Sequence, residues 1–499
     1  MFKLRRSYHR FCLTLILTIA LSVALGACGD NTTAPAASTA ATATTAAPNA
    51  TVAASSTTAS ATTASTAATT AADATAASGP TDYSKVGPEL VDAFAGKYKG
   101  TTVTFNTNGT NDQQFLNTFK DFQDKTGITI KFEPPSGEAG TVVKIQSNTI
   151  EDIVDIAQPG FVATYAKNLV DLNKVVNPDW LKANFAQGFL DTTTVNGPNG
   201  KMLGGVFTYI NFKSSVWYPK KAFDAAGYKV PTTWAEQQAL MDQIVKDGDT
   251  PWCIGISAEG ATGWPATDWI EDIMLRTTSP ENYDKWVKGT LPFTDPIVKN
   301  AFQKMSDIWF QDKYVYGGRK SIATTTVGDG GNPMFNNPPK CWLYKQASFI
   351  TQFFEKNFPG LKAGVDYDFY YLPPIDPQYG KPVLFAGDIF SMFHDRPEVR
   401  AVLQYTTTYD WIKPYIKASV GTLSPNKNVV LTDYKSDLDR KAAQILASSN
   451  TVRFDGSDSM PSEVGAGSFW KGVTDYVSGA SDLDKALQTI QAGWNNVKK

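Results

Sequence analysis

Within nine residues, Gly263-Trp264-Pro265-Ala266-Thr267-Asp268-Trp269-Ile270-Glu271 sets two indole rings beside two carboxyl groups. Aromatic faces stack on weakly apolar C–H surfaces, and carboxylates accept hydrogen bonds from hydroxyl groups. The mixture suits a polyhydroxylated ring with an apolar face and a polar rim. Similar mixtures recur downstream. Phe335, Trp342 and Tyr344 flank the bend at Asn337-Pro338-Pro339, Arg453-Phe454-Asp455-Gly456-Ser457-Asp458 runs into Met460-Pro461, and Ser468-Phe469-Trp470 follows. Concave pockets with aromatic walls and a few placed polar groups are the usual form of such sites. Trp264 and Trp470 lie by bends with acids nearby and are read as ligand-facing. Trp342 is divided between platform and core. Trp286, Trp309 and Trp494 lie on helical faces and are read as core. Asp455 and Asp458 have the alternative of serving as turn and capping residues, with Arg453 as their ion-pair partner.

Other chemistries find few residues. The chain has two histidines, His9 and His394. His9 lies in a segment expected to be removed, which leaves one candidate base for a triad and no histidine cluster for a metal. No phosphate-cradling glycine loop and no C-x-x-C pair occurs. No cofactor and no metal site are expected. Paired carboxylates of a glycoside hydrolase survive on composition alone. Of four cysteines, Cys12 and Cys28 lie near the N-terminus, and Cys253 and Cys341 remain. Two thiols in an oxidising compartment suit one disulfide; the alternative is two separate buried thiols.

The elements that must carry these residues alternate. Thr101–Asn106 is β-rich, and Phe115, Phe119 and Phe122 then share a helical face that Gly127 ends. Strands are expected at 128–132 and 153–157, with a helix over 139–148 between them. Strand and helix in alternation predict parallel units with right-handed crossovers. Further helices are expected at 219–226, 234–246, 268–277, 296–311, 398–411 and 481–495, and short strands at 216–218 and 253–256. If Thr267 or Asp268 caps its helix, Trp264 sits in the loop before it.

The N-terminus reads as a targeting segment. Lys3, Arg5, Arg6 and Arg10 precede an apolar run from Phe11 to Leu25, which ends in Leu25-Gly26-Ala27-Cys28. The run is short for a membrane span. Residues 31–80 are nearly all Ala, Thr and Ser, with too little apolar surface to offset the entropy of ordering. A flexible coil of that length would span roughly 40 Å. All twelve Trp lie at or after Trp180, in a remainder of a size that favours two cores. The formal charge is −2; the signal carries four bases and no acid, so the rest of the chain is near −6. With no basic block, nucleic-acid binding is a poor reading.

Gly200-Lys-Met-Leu-Gly204, Lys213-Ser-Ser-Val-Trp-Tyr-Pro-Lys-Lys-Ala-Phe223, Gly227-Tyr-Lys-Val-Pro-Thr-Thr-Trp234, Thr250-Pro-Trp-Cys-Ile-Gly255 and the stretch from Thr262 to Glu271 resemble the extracellular solute-binding proteins of sugar ABC importers. So do the late Arg453–Pro461 and Ser468-Phe-Trp470 segments. Within that group the likeness is to α-glucoside-binding lipoproteins, and the Cys28 segment resembles their lipobox. The resemblance implies an α/β, maltose-binding-like fold of two lobes with a hinged cleft. The expected division is a signal over 1–27, an anchor and tether over 28–95 and a binding domain over 96–499. Lobe 1 is expected at about 96–210 plus 380–425, and lobe 2 at about 211–379 plus 426–499. The resemblance places stacking rings at Trp470, Trp264 and Trp342. It places polar contacts at Asn211, Lys213 and Asp388, with Asp268, Trp269 and Arg453 as further candidates. It implies a monomer, lipid-anchored through Cys28 on the outer face of the cytoplasmic membrane, that passes its sugar to permease subunits. The alternatives are a binding protein for another polar solute and an anchored glycoside hydrolase. One departure stands out: the family's Pro-Asp-Ile is Glu151-Asp152-Ile153 here, and Ile156-Ala157-Gln158 replaces a first-lobe aromatic.

Overall fold

The computed structural model describes residues 81–107 and 113–497. The expected signal, Cys28 and the tether up to residue 80 lie outside the described residues. The last part of the expected tether does not. Pro88–Phe94 is a helix with proline at its first position, where the missing N–H costs nothing. Its Val86, Leu90 and Ala93 side are fully buried, and the Leu90 N–H donates to Gln404 Oε1 at 2.8 Å. Composition misplaced this segment because Val86, Leu90 and Ala93 suffice to seat it, although Val91 on the same helix is exposed.

Eleven strands form three sheets. The large sheet contains β1 (Thr102–Asn106), β2 (Thr129–Glu133) and β3 (Ile153–Ile156), with β1 parallel to both others. A hairpin follows, β4 (Thr194–Gly197) and β5 (Gly200–Leu203). Next come β6 (Val206–Phe212) and β7 (Ser215–Tyr218). The later strands are β8 (Tyr344–Lys345), β9 (Asp368–Tyr371), β10 (Val383–Met392) and β11 (Val452–Phe454). β10 runs antiparallel to β3 and β6 and parallel to β11, which closes the large sheet in the order β11-β10-β3-β1-β2 with β6 on β10. β8-β7-β9 is a separate antiparallel sheet. The parallel β1–β3 units are those the alternation of strand and helix predicts, with Gly127 in the left-handed conformation ending the Phe122 helix.

Two hydrophobic cores result. One surrounds the large sheet; the other lies among helices Trp264–Thr277, Pro296–Trp309, Trp470–Ser478 and Leu483–Ala492. Three connections join the large sheet to the β8-β7-β9 sheet and the helices of the second core, after β6, before β10 and after β11. The cores themselves interleave, since Trp217, Cys253, Cys341, Tyr344, Phe354 and Tyr367 pack with the first. Tyr434, Leu438, Ala442 and Phe454 also pack in the first core, where β11 pairs with β10.

Two local expectations are corrected. Residues 253–256 are not a strand; the Cys253 and Ile256 N–H groups bond to Leu343 and Ile322 carbonyls in loops. A β-carbon on Gly255 would lie 2.8 Å from two loop carbonyl oxygens, so the backbone is pinned without a ladder. The helix expected from Asp268 begins at Trp264, since Pro265 fits its first turn. Cys253 and Cys341 form a disulfide with Cα atoms 5.4 Å apart and a sequence separation of 88. Closing a loop of that length stabilises the fold by about 4.6 kcal/mol on chain entropy. The double variant C253S/C341S should lose stability of that order in urea denaturation, with a steeper urea dependence because its unfolded chain is less constrained.

Candidate ligand-binding site

The site begins at a close approach of two segments. Gly263, at φ +116°, precedes the Trp264 helix, and a β-carbon there would collide with the Trp470 carbonyl oxygen. Glycine is the residue that allows both the turn and the contact. It places the start of one aromatic-bearing helix against the start of another. The Trp470 indole N–H donates to Ser457 Oγ at 3.3 Å, and Ser457 Oγ is 3.0 Å from Thr267 Oγ1. Trp264 is half-buried and packs at 5.9 Å on Phe349.

Lys213 is the cation of this neighbourhood. It lies at the first crossing, between β6 and β7, and is 4 % exposed. Its Nζ donates to Asp268 Oδ1 at 2.8 Å and to Asp455 Oδ2 at 2.5 Å, and it lies 5.1 Å from the Trp264 ring centre. Burial alone would release the lysine proton, but Asp268 and Asp455 overcome it and hold the ammonium well above its usual range. The carboxyls separate in response. Burial pushes Asp268 up to about 7 against the pull of Lys213. Burial also acts on Asp455, but Lys213 and the Asp458 N–H outweigh it and hold that carboxyl at about 2. Asp268, Glu271 and Asp455 bring oxygens within 4.8 Å of one another, as a metal site would. Here the Lys213 ammonium already bridges Asp268 and Asp455, so the donor set is that of an ion-pair clasp.

The opposite wall comes from the carboxyl ends of the large sheet. Asn106 ends β1, Asp155 and Ile156 end β3, and Glu138 and Thr141 lie on helix Gly137–Ser147; with Gln158 and Phe161 they line a cavity of about 30 Å³. The Tyr209 hydroxyl donates to Asp155 Oδ2 at 3.2 Å. Burial, then the charges of Asp155 and Asp388, keep that phenol protonated far above its ordinary range. Asp388 therefore stands near this wall. Gln158 also hydrogen-bonds Asp458, which joins the cavity to the Ser457 and Trp470 cluster.

Of the residues singled out from sequence, Trp264, Asp268, Lys213 and Trp470 meet in one cluster, and Asp388 stands across from it. Asn211 is buried in β6, paired with Ala386 of β10. The structure does not bring three others there. Trp269, 3 % exposed, sits edge-on to Trp252 and Trp309, because it turns from the Trp264 side into the second core. Trp342 packs edge-on to Tyr228 and donates to Asp249 at 3.2 Å. Arg453 makes a two-pronged pair with Asp284 at 2.6 and 3.0 Å. Sequence reasoning missed Glu138, Asp155 and Gln158. Their signal was position, at the carboxyl ends of parallel strands where α/β ligands gather.

A family model described as bacterial extracellular solute-binding protein matches residues 106–408. The chain belongs to that family. This solute-binding protein is 40% identical over 381 residues to the osmoprotective compounds-binding protein GgtB of Synechocystis sp., covering 75% of this chain and 87% of that one. It is 39% identical over 411 residues to the alpha-glucosides-binding periplasmic protein AglE of Rhizobium meliloti, covering 80% and 88%. Among solved structures, the bacterial solute receptor AcbH superposes with TM-score 0.68 at 18% identity, covering 79% of this chain and 99% of that one. Maltose-bound T. maritima MalE3 gives 0.62 at 15%, covering 80% and 100%. The fold is therefore the two-lobe α/β fold of these receptors. Among the described residues, no helix is long and apolar enough to cross a membrane.

Lys213→Met strands Asp268 and Asp455 without their cation. Removing one partner of a buried pair costs about 3–5 kcal/mol. Chemical denaturation of K213M should show a loss of that order, with partial recovery in K213M/D455N.

Proposed function

We propose that this protein captures a carbohydrate, an α-glucoside or a short gluco-oligosaccharide, between its two cores and hands it to the permease of an ABC importer. The observation that carries the reading is the cluster at Gly263, where Trp264 and Trp470 are held beside Asp268 and Lys213 and are joined through Ser457, Asp458 and Gln158 to a cavity lined by amide, hydroxyl and carboxyl groups. Rings supply the stacking surface, and the far wall supplies hydroxyl partners. The named ligands of AglE and of MalE3 support the sugar class. The name of GgtB supports a second reading, a small polar osmoprotectant, and the predominantly polar cavity suits it too.

The action is binding and release without turnover. A glycoside hydrolase needs two carboxyls free to act on either side of a bond. Asp268 and Asp455 are instead committed to one ammonium. The protein would be anchored by lipid on Cys28, act as a monomer, and carry its ligand site on lobes near the limits read from sequence, corrected at 81–95 and 434–454.

Titration calorimetry with maltose, trehalose, sucrose and glycine betaine tests the ligand class. At least one α-glucoside should bind, and W470A should weaken it tenfold or more, in line with loss of one aromatic stacking partner. Silence from every sugar with heat from glycine betaine would turn the reading to the osmoprotectant. In cells, C28S should move the protein from the membrane fraction to the soluble fraction.

A further inference from the structure

Asp458 stands where the two lobes meet. It belongs to the turn Gly456–Ser459, whose Gly456 lies against Tyr283, Trp286 and Val287 of the second lobe. Its side chain meets Gln158 of the first. Nearby, the Met460 carbonyl fills the space that a β-carbon on Gly160 would need, and Ser462 faces Glu138. These three contacts make a seam along the cavity that Glu138 and Gln158 line.

Behind the seam the charges do not balance. Asp268, Glu271, Asp272, Asp455 and Asp458 are five carboxyl groups, all at least nine-tenths buried. The cations among them are Lys213, Lys345 and Arg276. Lys213 serves Asp268 and Asp455, while Lys345 and Arg276 both serve Asp272. Glu271 and Asp458 form no ion pair among the described residues. An uncompensated buried charge costs several kcal/mol, so such a group takes a proton instead. The two differ in where they sit. Glu271 accepts the Gly456 and Ser457 N–H groups at 2.9 Å each, wholly inside the second lobe. Asp458 instead lies at the seam, its backbone carbonyl against Gly160 and its side chain against Gln158 of the other lobe.

We propose that Asp458 is a latch residue that takes up a proton as the lobes close, so that capture of the solute binds a proton as well. As a carboxylic acid it can donate to, and accept from, the Gln158 carboxamide. Burial, then the Asp455 charge, drives its carboxyl well above the ordinary range, with Asp268 adding to it; Lys213 and the Gln158 hydrogen bond oppose this and are outweighed. With the lobes apart, the group regains water and ionises near its ordinary value. The closed form thus holds one more proton than the open form, and a solute that binds the closed form binds tighter as pH falls. The proposal rests on the solute-capture reading for the motion of the lobes, and its test separates the two.

The measurement is calorimetry at pH 7 with whichever of maltose, trehalose or sucrose binds tightest, in two buffers of different ionisation enthalpy. Wild type should take up about one proton per solute, and its affinity should rise by up to tenfold per pH unit as pH falls toward 5. D458N should show no uptake and a flat pH profile, while E271Q should keep the uptake. Absent uptake in wild type, or equal uptake in D458N, overturns the latch. If no sugar binds, the carbohydrate reading fails first, and small-angle scattering of the solute-free protein decides the latch. A closed form that holds one more proton gains population as pH falls. Wild type should then become more compact between pH 8 and 5 while D458N does not; identical pH profiles overturn the proposal.

Discussion

One ammonium group organises the junction of this molecule. Lys213 lies on the first crossing between cores, Asp268 on the first turns of the Trp264 helix, and Asp455 on the last crossing. A single lysine therefore ties together two of the three connections and the helix that opens the site. Its charge also sorts the acids around it. The carboxyl that it holds most firmly stays ionised, and at Asp458 burial and the Asp455 charge outweigh its pull. The backbone follows the same centre, for Ser214 next in the chain receives the Leu384 N–H of β10 and donates to Asp272. Arg276 and Lys345 then extend the network to the far side of the same helix.

That arrangement explains why residues far apart in sequence converge. Glu271, two turns after Trp264, receives the amides of Gly456 and Ser457, and Ser457 in turn holds the Trp470 indole. The Trp470 ring is thus fixed by its hydrogen bond to Ser457, and Trp264 by packing on Phe349 and the nearby Lys213 ammonium. The cost of enclosing so many carboxyls is offset by giving nearly every oxygen a donor, which is the condition under which buried polar networks specify one structure.

The α/β alternation, the parallel first strands, the disulfide and four of the clustered residues were legible in the sequence, because each follows from local periodicity or from residue type. What escaped depends on long-range partners. Trp269 and Trp342 share composition with Trp264, yet the helix phase sends one into the core and Asp249 holds the other away. Cys253–Ile256 has the composition of a strand but finds loop carbonyls for neighbours. Arg453 lies beside Asp455 in sequence and pairs with Asp284 instead, 169 residues away. The first-lobe wall carries no tryptophan to mark it, and its polar residues come together only when two strand ends and a helix line up.

The helix Pro88–Phe94 gives the domain a mechanical polarity. It is buried against helix Pro397–Thr406 and stitched there by Gln404, which also donates to the Val175 carbonyl. Any pull arriving along the chain ahead of residue 81 is therefore delivered to the large-sheet lobe.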